Sequence, residues 1–274
     1  ELGAYTMQPK NELIELLLNI PMHYQLCANN RAASSARRRL TVILTARFRV
    51  ISPVIVQHIY KISKAKSLVH LNQLVAEGLL TLVPTHRSPD GRVYVLTFSG
   101  AAYAEELMCV HVPFRSTTNP ALQFNANSVM HDLMLQYCCM MTDGDTTLWK
   151  GFISEIEFKR IYSSNDIRNI DALVRFNKEL IALELENSHK PKATHATNLI
   201  KFSHSIKLGL YKKVFFISAS NRILADIKRF HNELLDELPE RKNATLTTQD
   251  ASMLREALVY RSKYCAELSA IFYP

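Results

Sequence analysis

Apolar positions in the amino-terminal third recur at helical spacing and then switch to strand spacing. LTVILTARFRVI (40–51) predicts a first helix. Ser52-Pro53 is an N-cap followed by proline at the first helical position, and it opens PVIVQHIY. Lys61-Ile62 is a short turn. Ser63 then caps a third helix, KAKSLVHLNQLVAE, in which Leu68, Leu71, Leu74 and Val75 form the buried stripe and after which Gly78 ends the helix. LLTLVP and RVYVLTF read as strands around the turn THRSPDG, and Ser99-Gly100 begins another helix, AAYAEEL.

VPFRSTTNPALQFN (112–125) is a polar connector, which divides the chain into an expected unit over 1–115 and a second over 122–274. In the second, ANSVMHDLMLQYCCMM (126–141) predicts a helix, with Val129, Leu133 and Met140 inward, and FISEIEFK (152–159) alternates as a strand. DALVRF and ELIALELE are strands joined at Asn177-Lys178, and KATHATNLIKFSHSIKLG (192–209) is a helix ended by glycine. KKVFFISAS is a buried-type strand, NRILADIKRFHNELLDEL an amphipathic helix, and 244–273 is helix-prone. The fold class is α+β or α/β: helices and a hairpin first, then an αβββαβ core.

The hairpin carries an oddity. With Asn177-Lys178 as its turn, Phe176 pairs with Glu179, Val174 with Ile181, and Asp171 with Glu184. Glu184 and Glu186 then share a face with Ala182, opposite Ile181, Leu183 and Leu185. Two carboxylates directly opposed, with Cβ atoms roughly 4.5–5.5 Å apart, destabilise a sheet. A bound hard divalent cation reverses that sign, which makes Asp171, Glu184 and Glu186 candidate metal ligands. A slip of one residue would put Asp171 on the other face.

Composition narrows the class. The 274 residues are 47% hydrophobic and 21% charged, as in ordinary globular chains, and no apolar run reaches a membrane span of ~20 residues. There is no signal-peptide pattern, and Met7 is the expected natural start after an appended ELGAYT. The odd set Cys27, Cys109, Cys138, Cys139 and Cys265 lacks CxxC spacing, so a reduced, cytoplasmic chain is expected. The net charge is +8, and between Leu16 and Ala76 there is no acid at all. That window holds Arg31, Arg37, Arg38, Arg39, Arg47, Arg49, Lys61, Lys64 and Lys66, a segment suited to polyanions.

The order helix, helix, helix, strand, hairpin, strand is that of a winged helix-turn-helix, whose third helix enters the major groove. Its outer face would offer Lys64, Lys66, His70 and Gln73, the wing tip Arg87 and Arg92, and the preceding basic run Arg37, Arg38 and Arg39. The same order also serves protein contacts.

The carboxy-terminal order, with Asp171 on one strand and Glu184 and Glu186 on the next, resembles the PD-(D/E)xK nuclease superfamily and its restriction-endonuclease-like fold. Glu186 stands where that pattern has lysine, which puts the transition-state charge partner in doubt; Lys190 and Lys201 are candidates for a relocated lysine. A winged helix followed by this core, with His131-Asp132 in the helix before the sheet, resembles more narrowly the MOBC-type plasmid mobilisation relaxases of the replication-relaxation family, over about residues 40–235. That resemblance implies a bacterial metal-dependent DNA endonuclease that recognises a transfer origin as duplex and single strand and nicks one strand. It also implies an accessory mobilisation protein and a coupling protein as partners.

In that reading Mg²⁺ or Mn²⁺ on Asp171, Glu184 and Glu186 activates a water. His131, Asp132, Lys190 and Lys201 are candidates to move a proton or stabilise charge. Tyr24, one tyrosine of 11, is a candidate nucleophile should the product be covalent. The His-x-His spacing of histidine-based relaxases does not occur. Three alternatives stay open: a non-catalytic DNA-binding replication or transcription regulator on a degenerate nuclease fold, a defence-type nuclease making double-strand cuts, and strand-end acids that are merely surface charges.

Overall fold

A computed structural model of the protein describes residues 10–24, 29–143 and 146–273. Cys27 and the expected start at Met7 lie outside the described residues. Helix α1 covers Lys10–Leu18, α2 Asn30–Phe48, α3 Pro53–Tyr60 and α4 Lys64–Ala76. Strands β1 (Leu80–Pro84) and β2 (Arg92–Leu96) form an antiparallel hairpin, followed by α5 (Phe98–Met108). Ile51 bridges to Tyr94 of β2 by paired backbone hydrogen bonds of 3.0 and 2.8 Å, so the link between α2 and α3 is tied to the two-stranded hairpin at a single residue.

The remainder runs α6 (Val129–Cys139), the short hairpin β3 (Thr142–Asp143) and β4 (Thr146–Thr147), β5 (Phe152–Ser154) and α7 (Glu155–Ile161). It continues through β6 (Ala172–Phe176), β7 (Glu179–Leu185), α8 (Lys192–Lys207), β8 (Lys213–Ile217) and α9 (Asn221–Glu237). It closes with α10 (Thr248–Ala257), β9 (Leu258–Tyr260) and α11 (Cys265–Phe272). The main sheet has the order β5-β6-β7-β8-β9, antiparallel across its first two pairings and parallel across its last two. The class is therefore mixed α+β. Among the described residues no helix is long and apolar enough to cross a membrane.

The turn of the β6-β7 hairpin is as counted. Asn177 and Lys178 both have positive φ, 47° and 70°, the backbone a two-residue hairpin loop requires. Phe176 opposes Glu179 and Val174 opposes Ile181.

Other expectations change. FISEIEFK is a strand only to Ser154, because Ser154 and Glu157 form a capping box that turns the chain into α7. The first helix begins ten residues earlier than its apolar stripe, capped by the Asn29 side chain on Ala32 N–H. It stops at Phe48, where Arg49 adopts φ 68°. In α4 the buried positions are Ser67, Leu71 and Leu74, while Leu68 and Val75 are half-buried.

The two expected units share a buried contact. Arg47, 1% exposed, donates to both carboxylate oxygens of Glu157 at 2.8 Å and to the carbonyls of Phe152 and Leu17. Its guanidinium lies over the Phe152 ring at 4.1 Å. Gln136 of α6 donates to Val50 O at 3.2 Å. Helix α1 lies against the edge of the main sheet: a Cβ on Gly151 would fall 1.9 Å from Leu18 O, so only glycine fits. Arg175 of β6 reaches back to Glu15 at 2.7 Å.

Candidate functional site

Two strand ends and one helix start meet at the end of the sheet where β6 begins and β7 ends. Asp171 stands one residue before β6, and its Oδ2 accepts the Leu185 N–H at 2.7 Å. The carboxylate thus continues the β6-β7 ladder after the backbone pairing stops. Glu184 is the next-to-last residue of β7 and is 1% exposed; Glu186, just beyond, is 3% exposed. His131, in the first turn of α6, places Nε2 3.3 Å from Asp171 Oδ2 and Nδ1 3.4 Å from Asp132 Oδ1. Asp132 also accepts from the Ser128 hydroxyl at 2.9 Å, so it joins the group only through His131.

Each acid has a cationic or N–H partner. Arg168 makes a two-pronged contact with Glu184, Nε to Oε1 at 3.1 Å and Nη2 to Oε2 at 2.7 Å. Lys190 Nζ is 2.5 Å from Glu186 Oε1. Of the two relocated-lysine candidates, Lys190 reaches the acids; Lys201 on α8 makes no ion pair with them among the described residues. Arg168 is a residue the pattern of the sequence does not single out. It is held by Ser205 Oγ on its backbone N–H at 3.3 Å and lies 5.8 Å from the Phe202 ring.

These contacts set the charge states. Burial works against a charge on His131, but Asp171 and Asp132 push its pKa up to about 11. Burial would raise Asp171, and His131 and the Leu185 N–H nonetheless hold it below the usual carboxylate range. Glu184 is pushed up to about 8, first by burial and then by the charge of Asp171, with Arg168 pulling against both. Glu186 is raised by burial and opposed by Lys190.

The like charges are therefore neutralised by side chains of the chain itself. Carboxylate oxygens are the donors Mg²⁺ or Mn²⁺ prefer, so the chemistry of the set fits such an ion. The arrangement as it stands is closed: Arg168 takes both oxygens of Glu184, and among the described residues no three His, Cys, Asp or Glu converge as a group able to hold a metal ion. An ion at Asp171 and Glu184 requires Arg168 to swing away.

The basic residues expected at DNA divide into two sets. Arg39, Lys64, Lys66, Gln73 and Arg87 are exposed, and Arg92 is half-buried. Lys64 pairs with Asp90 at 3.0 Å, and Gln73 donates to Glu77 at 3.1 Å. Arg38 pairs with Glu77 at 2.6 Å and lies 4.6 Å from the Tyr103 ring. His70 does not face outward. It flanks the Leu71–Leu74 stripe and bonds Thr41 Oγ1 at 2.9 Å, so burial brings its pKa down to about 4. Arg47, counted with the basic surface, is buried in the ion pair with Glu157. Tyr24 accepts from Arg37 Nε at 3.0 Å and packs edge-on to Tyr60, away from the acids. No protein-family model, no curated protein and no solved structure matches the chain.

Proposed function

We propose that the chain is a plasmid mobilisation relaxase: a DNA-binding endonuclease that nicks one strand at the acidic end of its main sheet. The observation that carries this reading is the meeting of His131, Asp171, Glu184, Glu186 and Lys190, which come from separate parts of the chain and join at one sheet end. Strongly perturbed titratable groups with specific charge partners cluster at functional sites, which makes this group a candidate one. The order α2, α3, α4, β1, β2 with the Ile51 bridge supports a winged helix-turn-helix, with Lys64, Lys66 and Gln73 on the exposed side of α4. The α6-β5-β6-β7-α8-β8 order supports a restriction-endonuclease-like core. Accessory and coupling proteins, and a place in the bacterial cytoplasm, belong to the same proposal.

Asp171 and Glu184 would hold Mg²⁺ or Mn²⁺, with Glu186 beside them, and the bound ion would supply an acidified water and a polarised phosphoryl oxygen. The chain's own groups do the rest. His131 carries a proton held by Asp171 and Asp132 and is placed to give it to a departing oxygen. Lys190 offers the positive charge that the residue after Leu185 lacks. Arg168, once released from Glu184, is a second cation for the phosphate.

Supercoiled plasmids carrying a panel of cloned transfer origins test this. With Mn²⁺ the wild type converts one of them to open circles; with EDTA it does not, and Glu184→Ala does not under either condition while still binding the duplex. Equal nicking by Glu184→Ala would remove the chemistry from this site. The two-pronged Arg168–Glu184 contact favours a second reading, a non-catalytic DNA-binding regulator in which arginine has replaced the metal. That reading expects duplex binding unaffected by EDTA and no nicking by any variant.

A further inference from the structure

A groove runs between the connector after α5 and the start of the carboxy-terminal half. Its larger part, about 520 Å³, lies between Arg49 at the end of α2, Phe124, and Lys159 and Arg160 of α7. Its smaller part, about 270 Å³, shares Arg49 and Pro113 and extends past Phe114, Arg115 and Leu122. Arg49, Arg115, Lys159 and Arg160 are exposed, whereas the acids on the wall, Asp132 and Glu155, stand only at the inner end. Lys159 pairs with Glu155 at 2.6 Å, so Arg49, Arg115 and Arg160 carry the groove's remaining exposed positive charge.

The outer end carries unburied apolar surface. Among the described residues five large apolar side chains are markedly exposed; of these Leu122, at 73%, lines this end of the groove and Phe98, at 72%, stands beside Phe114 of its wall. Phe98 stands edge-on to Phe114, ring centroids 6.3 Å apart. A single exposed apolar residue needs no account. An exposed ring beside a half-buried one and two arginines has a use, because unpaired bases stack on such rings while the cations take the phosphates. A duplex presents no free base face.

The inner end reaches the acidic cluster twice. Asp132 lines the groove and touches His131, which touches Asp171. Glu155 lines it and accepts from Asn169 at 2.8 Å, two residues before Asp171.

We infer that this groove is a single-stranded DNA channel: Phe98 and Phe114 stack bases at its mouth, Arg49, Arg115 and Arg160 carry the phosphates, and the strand is led to the His131–Asp171 end. The inference rests on the DNA-binding reading above but not on cleavage.

Fluorescence anisotropy of labelled oligo(dT) measures it directly. The wild type binds oligo(dT), and Phe98→Ala combined with Arg115→Ala weakens that binding about tenfold or more, since base stacking alone is worth that much. Losing one phosphate contact flattens the slope of log affinity against log salt by about 0.7. Duplex binding by this variant stays at the wild-type level, whereas Lys64→Ala with Lys66→Ala weakens duplex binding and leaves oligo(dT) binding unchanged. Failure of the nickase reading shows separately, as absence of nicking with this pattern intact.

Photo-crosslinking of the unaltered protein to an oligonucleotide containing 5-bromodeoxyuridine is the second measurement. Adducts on the peptides of Phe98, Phe114 or Phe124 support the channel; adducts on α4 overturn it. No oligo(dT) binding by the wild type, wild-type affinity in the Phe98→Ala, Arg115→Ala protein, or tighter binding of oligo(U) than of oligo(dT) overturns it as well.

Discussion

His195 and His231 are buried together, their rings 3.1 Å apart between Nδ1 and Nε2, and Tyr260 closes the chain at 2.8 Å from His231 Nδ1. Burial lowers both pKa values. Lys190 and Arg168 add to it for His195, and His195 adds to it for His231, which falls to about 3. In the unfolded chain each ring takes a proton below about pH 6.5. The unfolded state then holds more protons than the folded one, so stability is lost as pH falls from about 6.5 toward 3. Each ring contributes up to about 1.4 kcal/mol per pH unit. His231→Phe, which keeps a ring against Phe216, reduces that slope in urea titrations at successive pH values; a slope equal to the wild type's would refute the neutral pair. At this scale the sequence pointed to the acids and to two of their partners, His131 and Lys190, and missed Arg168. Asp171, Glu184 and Glu186 stand out because they interrupt apolar strands, and Lys190 because it follows within a turn. Arg168 lies in a loop with no period to mark it, and only the packing of α8 behind it aims it at Glu184.

Elements were legible where one local signal acted alone. The β6-β7 hairpin has two apolar, β-favouring runs around a two-residue turn, so its register could be counted from the turn, and it holds from Phe176 to Ala172. The segment FISEIEFK carried two signals. Its alternation favours a strand over its whole length, but Ser154 followed by Glu157 is a helix cap, and the cap prevails after three residues. Helix α2 began earlier than expected because NRAASSARRR has no apolar stripe; Asn29 and good helix formers suffice there. If the Ser154 cap decides where β5 yields to α7, Ser154→Ala costs about 1 kcal/mol in chemical denaturation. Loss of less than a few tenths would mean that the Glu157 contact with Arg47 holds the turn by itself.

Across the whole molecule the feature least visible in the sequence is the joint between the halves. Arg47 belongs to a stretch that reads as basic surface, yet it donates to Glu157 of α7, Phe152 O of β5 and Leu17 O of α1, three elements from both sides of the connector. Its partner lies 110 positions along the chain, a separation no periodicity reports. Removing the guanidinium leaves a buried carboxylate without its counter-charge, a loss of about 3–5 kcal/mol. Because the lost contact joins the halves, its removal also changes cooperativity. Trp149, the sole tryptophan, is buried in the carboxy-terminal half and reports that half by fluorescence, while far-UV circular dichroism reports the helices of both. In the wild type the two urea transitions coincide. In Arg47→Met they fall to lower urea and separate, and Glu157→Met added to Arg47→Met recovers most of the loss, since an apolar pair of similar size leaves no unmet charge. Coincident transitions in Arg47→Met at wild-type stability would mean that the apolar contacts of α2 with α6 and α7 couple the halves without the ion pair.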